Sequence, residues 1–173
     1  IDAPGRAEPR FPRESDPGAR ESILHAVEDE ISRFGREHLR AISSGASGGD
    51  IIFLESCAAL EIPAEIYLAL NPDEFARASV ADAGADWIRR FDALCARFPV
   101  HVLKPSPTQD LNVWQQTNLW MLETAFGPDG SDTTVIALWD GQEGDGDGGT
   151  KDMVDRAREA GARVVRIDLP KAP

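Results

Sequence analysis

AISSGASGGDIIFLES, residues 41–56, is the stretch on which the fold turns. A short apolar run stops at Ser43 and Ser44, a glycine-rich turn follows, and Asp50 opens a dense apolar segment. That order is a strand passing through a tight turn into a buried helix. The turn itself has two readings. Gly45, Gly48 and Gly49 let the backbone approach a ligand, Ser43, Ser44 and Ser47 add hydroxyl donors, and the first N–H groups of a helix favour an anion. Alternatively the turn is only a corner, with Asp50 supporting the helix start. The glycines are spaced G-x-x-G-G, so this is not the dinucleotide fingerprint, and no Lys-Ser/Thr follows to make a P-loop.

Outward from this stretch, strands and helices alternate. Before it, Ile23, Val27, Ile31 and Phe34 mark one face of a helix that runs from Gly18 and stops at Gly35. After it, PAEIYLAL predicts a second strand and Asn71-Pro72 a break, followed by a polar connection up to residue 86. Trp87, Phe91, Leu94 and Phe98 predict an amphipathic helix with a core-facing stripe. VHVLK, TTVIALW and ARVVRID predict three more strands, with helices over LNVWQQTNLWMLETAF and TKDMVDRAREAG between them. Alternation of this kind predicts an α/β, Rossmann-like fold: a doubly wound, mainly parallel sheet between two helical layers. Residues 1–17, with Pro4, Pro9, Pro12 and Pro17, read as an irregular lead-in, and 18–173 as one ligand-binding domain. The start on Ile1 and the absence of a strand ahead of the first helix suggest a domain taken from a larger protein.

In such sheets ligands bind beyond the carboxyl ends of the strands, which selects the loops at 43–50, 70–86, 104–111 and 139–150. The last, WDGQEGDGDGGTKD, is a second glycine turn between a strand and a helix. Gly148 and Gly149 precede Thr150, a good N-cap, while Asp140 and Gly141 open the loop. Two glycine-opened helix starts on one sheet edge make a two-part cradle for a nucleotide-like ligand. Asp140, Glu143, Asp145 and Asp147 do not form an EF-hand, because counting from Asp145 puts Arg156 where a bidentate Glu is required. Glu55, one turn into an apolar helix, is the candidate catalytic carboxylate or ribose ligand, with a solvated or helix-capping role as the competing reading. Asn118 lies on a burying face and needs partners, either a ligand or backbone. His25, His38 and His101 have no metal spacing, and the sequence calls for neither a metal nor a cofactor.

Composition narrows the partners. With 173 residues, 42% apolar and 28% charged, the chain can bury a real core. A net charge of −12 repels nucleic acid and anionic membrane, so neither is an expected partner. Cys57 and Cys95 both fall in apolar helical patterns, which predicts free thiols and a reducing, cytoplasmic setting.

Taken together, SSGASGGDIIFLE, the Phe75-Ser79-Val80 pattern, Trp87 to Phe91, Asn118 to Ala125, and ALWDG with GDGDGGTKDMV resemble the SLOG superfamily. This is the Rossmann-like group of the DNA-processing proteins and the "lonely guy" enzymes; the similarity is to a bacterial branch associated with signalling and antiphage defence. The resemblance spans nearly the whole chain. It implies a pocket for a nucleotide or a nucleotide-derived signal such as ADP-ribose or NAD, read out by effector domains in the same polypeptide. It matches Gly45, Gly48, Gly49 and Asp50 to the first glycine motif and Gly148, Gly149 and Thr150 to the second. Enzymatic members carry P-G-G-x-G-T-x-x-E, whereas this chain has DGDGGTKDM, without the proline and with Asp152 and Met153 after the threonine. That departure favours a sensor. An N-glycosidic hydrolase using Glu55 or Asp140 is the alternative, and a scaffold that binds no ligand and forms a homo-oligomer is the third.

Overall fold

The computed structural model describes residues 16–107, 110–126, 132–139 and 147–168. Among the described residues six α-helices and five strands follow one another, alternating except where α3 leads directly into α4: α1 (Asp16–Phe34), β1 (Ala41–Ser43), α2 (Gly49–Ala59), β2 (Ala64–Leu68), α3 (Pro72–Ser79), α4 (Ala85–Arg97), β3 (Val100–Val102), α5 (Val113–Ala125), β4 (Thr134–Leu138), α6 (Thr150–Glu159) and β5 (Arg163–Ile167). Every strand pair is parallel. The fold is α/β, consistent with a Rossmann-like three-layer arrangement: α1 and α2 pack together on one side, α5 and α6 on the other.

Among the described residues the strands pair in two groups, β1-β2-β3 and β4-β5. Both halves nevertheless run the same way. At the amino end, Glu30 near the end of α1 accepts from Thr134 at 3.0 Å and from Arg163, the first residues of β4 and β5. At the carboxyl end, a Cβ placed on Gly49, just after β1, would lie 3.0 Å from the Leu138 Cβ at the end of β4.

The core sits under α2. Ile51, Ile52 and Leu54 are fully buried, and α2 lies against both α1 and α4, which explains a helix apolar on most sides. The α4 stripe is as its spacing predicts: Trp87, Phe91 and Leu94 are buried and Phe98 half-buried. Cys57 is buried and Cys95 half-buried, both as free thiols, and burial pushes them up to about 12 and about 11.

Three expectations need correction. Residues 70–86 are not a single polar connection: Asn71-Pro72 starts α3. The Asn71 side chain accepts from the Glu74 N–H at 3.0 Å, and Pro72 takes the first helical position, where a missing N–H costs nothing. Thr150 is not the N-cap of α6: it is the first helical residue, and Gly149 is the cap. The first helix starts at Asp16, two residues into the expected lead-in. No described helix is long and apolar enough to cross a membrane.

Candidate functional site

Beyond the carboxyl ends of β1 and β4 the two glycine turns come together. Ser44, Ser47, Gly48, Gly49 and Asp50 from the first turn and Gly148, Gly149 and Thr150 from the second line one cavity of about 940 Å³. The sequence thus placed both helix starts on one edge correctly. Asp140 and Gly141 lie outside the described residues.

The first turn is held by its own side chains. One Asp50 carboxylate oxygen accepts from the Ser44 hydroxyl and, at 3.2 Å, from the Ala46 N–H. Burial pushes the Asp50 carboxyl above its usual range, against the opposing pull of Ser44 and the backbone of Ala46 and Gly45. Asp50 is therefore the support of the helix start, the corner role weighed against ligand binding. Gly48 has φ 96 and ψ −125, a conformation only glycine adopts without strain, and caps α2 with no side-chain bond. The cap position itself carries no side chain, so the backbone of the helix start is open to an anion there. Gly45 sits on the other side of the turn: a Cβ there would meet the Phe91 ring at 3.3 Å, so this glycine serves packing.

The second turn is tied to α5. The Asn118 amide donates to the Gly148 carbonyl and to the Asp152 carboxylate, both at 3.0 Å. Asn118 lines the cavity, but its donors hold the start of α6 in place. Asn112 caps α5 and also donates to the Asp147 carbonyl at 3.0 Å. The glycine turn is therefore anchored on both sides of Gly148.

Glu55 does not line this cavity. It faces the helical layer, where Arg90 bonds both its carboxylate oxygens at 2.8 and 2.9 Å and Arg20 adds a third contact at 2.6 Å. Arg90 also reaches Asp16 at 3.0 Å and lies over the Trp87 ring at 3.8 Å. Burial works to raise the Glu55 pKa, but the two arginines outweigh it and hold the carboxyl below its ordinary value of 4.5. Glu55 is thus neither solvated nor a helix cap but the centre of a structural ion-pair cluster. Its folded-state pKa is depressed, so the stability it contributes is present above pH 4.5 and is lost as pH falls through the folded value. Glu55→Gln is expected to lower stability at neutral pH by about 1 kcal/mol, after discounting for partial exposure. It should also flatten the acid limb of a stability–pH curve from urea melts; an unchanged acid limb would show that the cluster carries no linkage.

Ser79, named in the sequence only as part of the Phe75-Ser79-Val80 pattern and not as a site residue, closes the first turn. It ends α3, lines the cavity, and its carbonyl accepts the Ser47 N–H at 3.0 Å. The signal was Asn71-Pro72 read as a helix start instead of a break. Among the described residues no group of three His, Cys, Asp or Glu could hold a metal ion. No family model, curated protein or solved structure matches the chain.

Proposed function

We propose that this chain is a sensor domain for a nucleotide or nucleotide-derived signal of the ADP-ribose or NAD kind, regulating an effector linked in the same polypeptide. The observation that carries the reading is the convergence of two glycine-opened helix starts, α2 and α6, on one cavity at the carboxyl edge of parallel strands. Ser44, Ser47, Gly48, Gly49, Gly148, Gly149 and Thr150 are the ligand-facing residues, with Asp50 and Asn118 holding the turns. The resemblance to the SLOG superfamily points the same way. Sensing is favoured over hydrolysis because Glu55 is taken up by two arginines away from the cavity. A signal that survives binding can hold an effector in one state.

The test is a thermal-shift series with AMP, NAD and ADP-ribose. At least one is expected to raise the midpoint by several degrees. Ser47→Asp, which adds a negative charge at the mouth of the first turn, should abolish that shift without unfolding the chain. No shift with any of the three, or a shift equal in Ser47→Asp, would reject the site. Base release at roughly 1 per second or faster would replace the sensor by the hydrolase.

A further inference from the structure

The cavity at the glycine turns is short of positive charge. Among the described residues that line it, Arg40 is the one Lys or Arg. Arg40 precedes β1 and is bonded to Glu65 at 2.5 Å. Ser44, where the first turn begins, lies four residues further on, about 13 Å away along an extended strand. Lys151 follows Thr150, but its ammonium is bonded to Asp155 at 2.7 Å, one turn along α6. At the turns the lining carries carboxylates instead, Asp50 and Asp147. In sequence, the segment 139–150 adds Asp140, Glu143 and Asp145 and contains no Lys or Arg. What the turns offer is neutral donors. The hydroxyls of Ser43, Ser47, Ser79 and Thr150 belong to the lining, and among the described residues none of the four makes a hydrogen bond. Ser44 differs, since its hydroxyl is donated to Asp50. Ser43 is the informative member. It ends β1, is only 7% exposed and borders the cavity. A buried hydroxyl without a partner costs free energy, and such groups find one in water or ligand. Ser43 therefore marks a polar subsite at the end of β1, independently of the two helix starts.

We infer that this site reads the charge of a phosphate: it accepts a phosphodiester, with one negative charge on the phosphorus, and discriminates against a terminal phosphomonoester, with Ser43 as a ligand contact. The inference rests on the nucleotide-binding reading above and narrows it. A Lys or Arg that holds a phosphate neutralises its charge on contact. Here hydroxyls, backbone N–H groups and the positive ends of α2 and α6 take that part. Each helix end is equivalent to roughly half a charge, so the two together balance about one negative charge. A monoester carries about −1.5 to −2 at neutral pH, because its second proton leaves near pH 6. Its surplus charge faces the lining carboxylates with no cation beside it, and in a cavity of low dielectric that repulsion is stronger than in water. A diester has no second proton to lose and keeps its single charge. A cyclic mononucleotide and the pyrophosphate linkage of a dinucleotide both present this chemistry.

Calorimetric titration of the 173-residue chain tests it with AMP and the methyl phosphodiester of AMP, which share a nucleoside and differ in that charge. The methyl ester is expected to bind at least 10-fold more tightly than AMP. Cyclic AMP and NAD, titrated alongside, separate the two sources, and the tighter of them names the one the site fits. Ser43→Ala, a change that a buried strand position accommodates, should weaken the diester five-fold or more while the melting midpoint of the ligand-free chain stays put. Ser47→Lys, which places a cation at the first turn, should shrink the preference for the diester below three-fold. AMP binding as tightly as its ester would overturn the inference and leave the nucleotide site standing. So would full diester affinity in Ser43→Ala, or an undiminished preference in Ser47→Lys. No binding of any of the four compounds would reject the nucleotide reading itself, and this inference with it.

Discussion

Replacing Gly148 by alanine is expected to cost about 2–4 kcal/mol, far more than a surface glycine in the same backbone conformation. Gly148 has φ +97, and a Cβ there would stand 2.4 Å from the Trp114 Cβ and 2.9 Å from the Gln115 nitrogen. The obstruction is the first turn of α5, whose backbone cannot swing aside like a side-chain tip. Gly84 supplies the control: its φ is +105, yet a Cβ there meets nothing within 4 Å. Gly84→Ala should lose only the conformational part, about 1 kcal/mol. Paired urea melts would read the difference directly, and equal losses at the two sites would remove the contact with Trp114 from the account. Because Gly148 and Asn118 position the start of α6, the alanine variant should also weaken any ligand held between the two glycine turns.

Phe75→Ala should destabilise by about 3–5 kcal/mol, the range for emptying a large aromatic from a packed core. Phe75 is 1% exposed, stacks on Phe91 with centroids 5.7 Å apart, and lies 5.9 Å from Trp114. It is the buried anchor of α3, and α3 ends in the carbonyl that holds Ser47. Phe75→Leu keeps most of the volume and should lose less than half as much. A drop of about 10 °C in the melting midpoint for the alanine variant is the expected scale for a domain of this size. A change under 2 °C would mean that α3 is not locked to the core through this ring.

The sequence made legible whatever depends on local periodicity. Trp87, Phe91 and Leu94 declared their helix face because burial imposes a 3.6-residue repeat on a helix with one packed side. The helix α3 escaped because Phe75 is its single fully buried residue, so no repeat exists to read; its evidence lay in the Asn71-Pro72 start instead. The glycine turns were found but not sorted. A glycine that only lines a cavity and one packed against a neighbouring side chain look alike in sequence, and only the positions of Phe91 and Trp114 reveal the packing at Gly45 and Gly148. Glu55 was undecidable for a similar reason: its arginines are 35 residues away in each direction. The division of the sheet is likewise invisible, since strand order is a matter of long-range pairing.

Glu30 has a different kind of consequence. Its carboxylate, nearly buried, ties α1 to Thr134 and Arg163 across 104 and 133 residues of chain. Each tie closes a loop spanning most of the domain, and the entropy of closing such a loop must be overcome before the contact contributes anything. The segments around α2 and β2 are close in sequence and meet early on this argument, while the bonds of Glu30 belong to the last stage of folding. The same carboxylate is then the latch of the finished molecule: it gains nothing until the chain is nearly home, and its bonds are among the first whose breaking sets β4 and β5 adrift from the rest.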